Sequence, residues 1–343
     1  METMKAILLE APNKASLREI PIPTPRPDEI LIKTKAATVC TSDIIDMQNG
    51  IFADHMPIVM GHEAAGIVAA IGEDVTGINV GDGVAVHPVM PCYACSSCVR
   101  GLSHLCDEMK HLCFNCPGVF AEYFITRPDC VRIKPPNMSF AVASLMEPVC
   151  VCLEAVSRAQ VNEDSRVLIA GDGPFGIMMS KICALLRNPD LIIHTGFYDT
   201  RLAHINDRLT YTINVNNVPD LAGKIMEYTD GYGIDSAILC VSDPAALDVC
   251  VEVLRSRGIL VLFTALPEKT PIDLMRVHLK ELHIIGSNND ENYMDEAMRL
   301  LASPIMKLHS IITHEIPFGQ WEEAFHLASE GKEHCLKVSM IFE

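Results

Sequence analysis

From Arg166 to Arg187 the chain reads RVLIAGDGPFGIMMSKICALLR: a short apolar run, a glycine-rich turn and a helical pattern with no break between them. This feature restricts the fold most. A strand that passes through such a turn directly into a helix must return by a crossover, which commits the region to a parallel sheet flanked by helices. Within Gly171-Asp172-Gly173-Pro174-Phe175-Gly176, Gly171 allows the tight turn, Gly173 lets the backbone approach a pyrophosphate, and Gly176 permits close helix–strand packing. The helix that opens at Pro174 and Phe175 offers N–H groups and a positive dipole end to phosphates. A bare G-x-G-x-x-G is weak; the strand before it and the helix after it make it a dinucleotide turn. The same alternation continues. Strands are expected at DLIIHTG (190–196), around AILCV (237–241), at ILVLFTA (259–265) and at HIIGS (283–287), with helices at 151–161, 177–187, 219–228 and 244–256.

An acid about 20 residues beyond the last glycine would bind the ribose 2′-hydroxyl and exclude a 2′-phosphate. Here that position is Gly196, in IIHTGFYDTR. Asp199 could substitute if the loop folded back, and Arg201 could instead face a 2′-phosphate, with His194 or Arg208 as weaker candidates. The missing acid removes the argument for strict NAD and tips the expected cofactor, NAD(P), toward NADP.

Cysteine spacing supplies the next constraint. Of 14 cysteines, Cys92, Cys95, Cys98 and Cys106 fall in PCYACSSCVRGLSHLC with the spacing C-x2-C-x2-C-x7-C. Four thiolates in one short loop suit a closed tetrahedral zinc site. An iron–sulfur cluster is the rival, but the run does not continue x3-C-P as a ferredoxin motif does. The N-terminus METMKAILLEAPNK carries no leader-like pattern, so clustered cysteines point to a reducing compartment and a cytoplasmic location. Cys113 and Cys116 form a second C-x2-C, read as loop cysteines, and the others as small buried hydrophobes.

The first 150 residues have a different texture. EILIKTKAATV (29–39), GIVAAIGEDV (66–75) and GDGVAVHPV after the Gly81–Asp82 turn read as strands, and prolines 21, 23, 25 and 27 keep the early chain extended. After residue 290 come helix candidates at 292–302 and 320–330, then a short strand in LKVSMIF. A formal net charge of −17 disfavours nucleic acid or an anionic membrane as partner, and no window was expected to hold the ~20 apolar residues of a membrane span.

The β-rich part also holds Cys40-Thr41-Ser42-Asp43 and Gly61-His62-Glu63, and Glu147-Pro148 lies at its end. Cysteine, histidine and carboxylate are the ligand types of a catalytic zinc that keeps an exchangeable position. With GHEAAGIVAAIGEDV (61–75), the four-cysteine loop and GDGPFG in that order, the sequence resembles the zinc-dependent medium-chain dehydrogenase/reductase family over essentially its whole length. It is most similar to the polyol (sorbitol-like) and threonine dehydrogenases, through Glu147 in LMEPVCVCLEAV and Gly118-Val119-Phe120-Ala121-Glu122-Tyr123.

The resemblance implies an α/β fold: a GroES-like β-rich catalytic domain (1–150), a Rossmann nucleotide-binding domain (151–286) and a C-terminal return to the catalytic domain (287–343). It implies two zinc ions per chain. One is structural. The other is catalytic, held by Cys40, His62 and one or both of Glu63 and Glu147, with the choice between the two glutamates open. Asp43 matches a residue that orients the histidine, and Ser42 the hydroxyl that relays the alcohol proton. Thr41 departs from the relatives' usual glycine, and Gly196 from their acid. The implied activity is hydride transfer between a secondary alcohol, polyol-like, or its ketone and NAD(P), in a homodimer or homotetramer. A simple-alcohol or threonine-type dehydrogenase and a non-catalytic nucleotide sensor are the alternatives.

Overall fold

The computed structural model describes residues 2–264 and 269–343; Ala265, the last residue of the expected strand run, lies outside them. The chain divides into two units, Met1–Cys150 with Glu291–Glu343, and Val151–Asp290.

The first unit is built on a seven-stranded sheet. Its order is Val131–Ile133, Gly83–Val86, Glu63–Ile71, Ile30–Thr38, Lys337–Ile341 and Ile312–Pro317, with Tyr123–Thr126 also pairing Ile30–Thr38. Ile30–Thr38 has almost no exposed position, so it reads as a continuous apolar run rather than an alternating one. The strand expected at 66–75 begins earlier, at Glu63, and ends at Ile71, which places Glu63 in the ladder opposite Thr38. Residues from both ends of the chain share one core: Ile7, Ile32, Met60 and Phe120 pack with Trp321, Phe325 and Met340. Phe120 meets Phe325 edge-on at 5.8 Å between ring centroids, a favoured aromatic geometry.

Two helix boundaries differ from the sequence expectation. The helix expected at 151–161 runs Met146–Arg158. Pro148 is tolerated because it sits in the first turn, where N–H groups have no intrahelical acceptor. This puts Glu147 on a helix rather than in a linker. The helix expected at 244–256 ends at Val253, and Leu254–Leu262 is already strand, with Leu254 in register with Ile234. Ladder pairing there overrides helical propensity. The stretch Phe140–Arg158 is, by length and mean hydropathy, apolar enough to cross a membrane, although Glu147 and Glu154 interrupt it; 72% of its window is buried inside the protein.

The second unit is a six-stranded parallel sheet ordered Thr210–Asn214, Leu191–Gly196, Arg166–Ala170, Ile234–Leu239, Leu254–Leu262, His283–Gly286. In this unit's own chain order that is 3-2-1-4-5-6, the doubly wound arrangement whose ligand crevice lies at the switch point beside the first strand. The helix after the turn, Pro174–Ile182, widens into a π-type turn over Cys183–Arg187. Gly171 has φ +125°, and a Cβ at Gly176 would lie 2.0 Å from the Gly171 carbonyl oxygen, so neither position accepts a side chain.

His194 is fully buried in the second strand, with Nδ1 2.6 Å from Ser180 Oγ. Burial pushes its pKa down from 6.5 to about 3. The unfolded chain therefore binds a proton near pH 6.5 that the folded unit refuses, and stability present above that pH is lost as pH falls toward 3. The expected slope is ~1.4 kcal/mol per pH unit inside that window. Melting temperatures between pH 7 and 4.5 for the wild type and His194→Gln test this. The wild type should fall more steeply, and parallel curves would exclude the buried histidine as a source of acid sensitivity.

Candidate active site

The first unit gathers a buried cluster of donors. Cys40 caps the helix Thr41–Asn49, and the Asp43 carboxylate in its first turn accepts the Cys40 N–H at 2.9 Å through Oδ2. The other oxygen of Asp43 lies 3.2 Å from His62 Nδ1, close enough for charge pairing although off the line of a good hydrogen bond. One carboxylate thus fixes both the cysteine and the histidine. Burial opposes a charge on His62, but Asp43 outweighs it and holds the pKa well above the ordinary histidine value. A metal on Nε2 would compete with that proton. The ligand atoms of Cys40, His62 and Glu63 all lie within 4.8 Å of one another. Ser42 is half-buried beside Asp43, while Thr41 is exposed.

The two glutamates differ in their surroundings. Both oxygens of Glu63 are engaged: Thr38 Oγ1 donates to Oε2, and Lys337 Nζ pairs with Oε1. Lys337 is 2% exposed. Burial alone would lower its pKa, yet the charge of Glu63 raises it, so the Lys337 ammonium keeps its proton. Glu147 Oε2 is buried and has no hydrogen-bond partner among the described residues. Burial, then the charge of Glu63, push the Glu147 pKa up to about 7. An orphaned acceptor near an imidazole and a second carboxylate, beside a set that also holds a thiol, is the donor chemistry a zinc ion fits. Beside this cluster, His111 stacks on Phe114 with ring centroids 4.0 Å apart, and Cys113, at φ +77°, brings its sulfur 3.8 Å from Asp43 Oδ1.

The four-cysteine loop also closes on itself. The sulfurs of Cys92, Cys95, Cys98 and Cys106 lie within 4.8 Å of one another. Backbone N–H groups of Cys92, Cys95, Asp107 and Glu108 point at these sulfurs from 3.3 to 3.4 Å. The N–H groups of Cys98 and Asp107 hold the Cys95 thiol pKa down at about 6, while desolvation pushes the coupled Cys98 and Cys106 thiols up. Amides aimed at sulfur favour thiolates, the form that binds metal.

In the second unit Gly173 caps the helix that opens at Pro174, and a Cβ on Gly173 would meet nothing within 4 Å, which leaves room for a pyrophosphate. Phe175 packs on Phe263 at 5.2 Å. A cavity of about 370 Å³ lies against Gly171, Thr195, Gly196, Phe197, Asn216 and Val241. The loop after Gly196 is organised by Asp172. Its Oδ2 accepts the N–H groups of Phe197 and Tyr198 at 2.7 and 2.8 Å, and its Oδ1 lies 3.8 Å from Arg201 Nη1. Arg201 is neither a surface residue nor directed at open space: its side chain is 12% exposed and sits over the Tyr198 ring at 4.9 Å. Asp199 accepts a bond at 2.9 Å from Nδ2 of Asn214, the strand residue paired with Gly196.

Sequence reasoning missed Lys337, Thr38 and the role of Asp172. Asp172 lies inside GDGPFG and so had a local signal, whereas Thr38 meets Glu63 only through strand register. Lys337 had none.

Residues 26–136 match the family described as alcohol dehydrogenase GroES-like domain, and residues 197–303 the family described as zinc-binding dehydrogenase. The chain is 30% identical to sorbitol dehydrogenase of Bacillus subtilis (strain 168), over 98% of its own length and 97% of that protein's. It is 32% identical to L-threonine 3-dehydrogenase of Pyrococcus furiosus, over 96% of this chain and 97% of that one. The rspB alcohol dehydrogenase of E. coli CFT073, solved with NADH, superposes with a TM-score of 0.90 at 27% identity, covering 100% of both chains. Agreement of this extent, on the fold and donor sets described above, makes the chain a member of the zinc-dependent medium-chain dehydrogenase/reductase family.

Proposed function

We propose that this protein is a zinc-dependent, NAD(P)-linked dehydrogenase that interconverts a secondary alcohol of polyol type and its ketone. The observation that carries the reading is the buried set Cys40, His62 and Glu63 beside Glu147, whose Oε2 lacks a protein partner among the described residues. Cys40, His62 and Glu63 would hold the catalytic metal, with Glu147 as the nearby unsatisfied carboxylate; Cys92, Cys95, Cys98 and Cys106 would hold a second, structural ion. When bound, zinc polarises the alcohol oxygen and lowers its pKa, and NAD(P) supplies the hydride acceptor. The chain's own residues do the positioning. Asp43 locks Cys40 and His62 in place, a support that keeps a ligand set at fixed geometry. Ser42 Oγ takes the alcohol proton and passes it toward solvent. A site with two carboxylates is polar, which suits a vicinal diol better than a plain alkanol. The relationship to sorbitol dehydrogenase supports the same substrate class. The threonine dehydrogenase relationship keeps an amino alcohol as the second reading.

All fourteen cysteines are free thiols, which supports action in the cytoplasm. His283–Gly286 sits at the edge of the second unit's sheet, the position from which such a sheet pairs across a two-fold axis, and we propose a dimer or a tetramer. The test is absorbance at 340 nm against sorbitol, xylitol, inositols, butanediol, threonine and simple alcohols, each with NAD and NADP, together with zinc content. Turnover of polyols with two zinc ions per chain is expected. Turnover of threonine or simple alcohols alone would replace the substrate class. Silence across the panel with one zinc ion per chain would favour a nucleotide sensor.

A further inference from the structure

We propose that Asp172 selects the cofactor: its carboxylate fills, from within the chain, the anion site that a 2′-phosphate would need, so the protein binds NAD and rejects NADP. This rests on the dinucleotide reading of the second unit given above and reverses the preference that Gly196 alone suggests. A glycine at the end of the second strand would ordinarily leave space where an acid stands in NAD-binding folds. Here that space is filled. A Cβ added at Gly196 would lie 2.4 Å from Asp172 Cβ and 2.7 Å from its Oδ2, so residue 196 is glycine because Asp172 already occupies the room.

The groups around that carboxylate are those of a phosphate site. Two consecutive backbone N–H groups, of Phe197 and Tyr198, converge on Oδ2, as in the backbone concavities that bind anions. The Arg201 guanidinium stands 3.8 Å from Oδ1, the residue type most suited to phosphate. An incoming 2′-phosphate would find these donors engaged by an anion that is itself only 5% exposed. Like charges brought together without water are strongly repelled. A ribose 2′-hydroxyl carries no charge and meets no such barrier. The cavity against Thr195, Gly196 and Phe197 borders this site. Asp199, the other acid near it in sequence, is turned to Asn214, and Asp243 accepts the Ala245 N–H at 2.9 Å. Asp172 is therefore the acid that organises the loop.

The test is a set of dissociation constants by calorimetry for NAD⁺, NADP⁺, 5′-AMP and adenosine 2′,5′-bisphosphate. The proteins are the wild type, Asp172→Ser, Arg201→Gln and the double variant, each checked for folding by circular dichroism. The wild type should bind NAD⁺ and 5′-AMP at least ~10-fold more tightly than their 2′-phosphorylated counterparts. Asp172→Ser should tighten the phosphorylated ligands by about 10-fold or more, and adding Arg201→Gln should remove that gain. Wild type that binds NADP⁺ as tightly as NAD⁺ overturns the proposal, as does a folded Asp172→Ser with an unchanged ratio. If Asp172→Ser does not fold, the wild-type ratio decides, with Asp172→Asn as the second variant. Failure of the wild type to bind any of the four ligands would remove the dinucleotide reading as well.

Discussion

Replacing Cys40 by serine is expected to reduce turnover below detection, by at least ~100-fold, while leaving the affinity for NAD unchanged. Loss of even an outer partner of a metal ligand typically costs ~10–100-fold in affinity or activity, and Cys40 is the only sulfur in the set Cys40, His62 and Glu63. A serine hydroxyl is not ionised at neutral pH and is a poor ligand for zinc. The nucleotide turn lies in the other unit, so a calorimetric Kd for NAD separates loss of the metal site from loss of fold. Metal analysis should show one zinc ion fewer per chain. Turnover close to wild type would mean that Cys40 is an ordinary core cysteine and that the chemistry lies elsewhere.

Lys337→Met should have the largest effect on stability. It leaves the Glu63 carboxylate buried with Thr38 as its remaining hydrogen-bond partner in the described structure. Breaking a buried ion pair by removing one partner costs about 3–5 kcal/mol, because the other charge is stranded in a medium that solvates it poorly. For a unit of about 200 residues this amounts to a fall in melting temperature of order 10 °C. Measured on zinc-free protein, the double variant Lys337→Met with Glu63→Gln should recover much of that loss, since no charge then remains to be stranded. Two single variants whose effects simply add would show that the pair is not coupled.

The parts of this molecule that depend on near neighbours in sequence were legible from it. The strand, turn and helix around Gly171–Gly176, the four clustered cysteines and Asp43 three residues after Cys40 all act over short spans, where spacing alone fixes geometry. Element ends were harder to read. Pro148 looked like a boundary but occupies the one helical turn that accepts it. Leu254 looked helical but is held in the sheet by its pairing with Ile234. Contacts between distant positions were not legible at all: Lys337 lies 274 residues from Glu63, and no periodicity announces such a pair. Asp172 failed to register for a different reason. The expected acid belongs about 20 residues after Gly176 along the chain, whereas the fold brings one to Gly196 from the glycine-rich turn that follows the first strand.

The discontinuity of the first unit has a consequence for how the protein is made. Residues 151–290 form a unit of their own and can fold while the ribosome is still adding residues, because domains generally fold as units during synthesis. The β-rich unit cannot be completed then. Trp321, Phe325 and Met340 of its core and the Lys337 counter-charge of Glu63 are translated after the whole nucleotide unit. Until they arrive, the strand Ile30–Thr38 lacks its Lys337–Ile341 neighbour, and a buried acid waits without its partner. Released chains truncated near residue 300 should therefore present a protease-resistant second unit and a protease-sensitive first one. The surroundings of the proposed metal site are then complete only once the last strand of the chain has arrived.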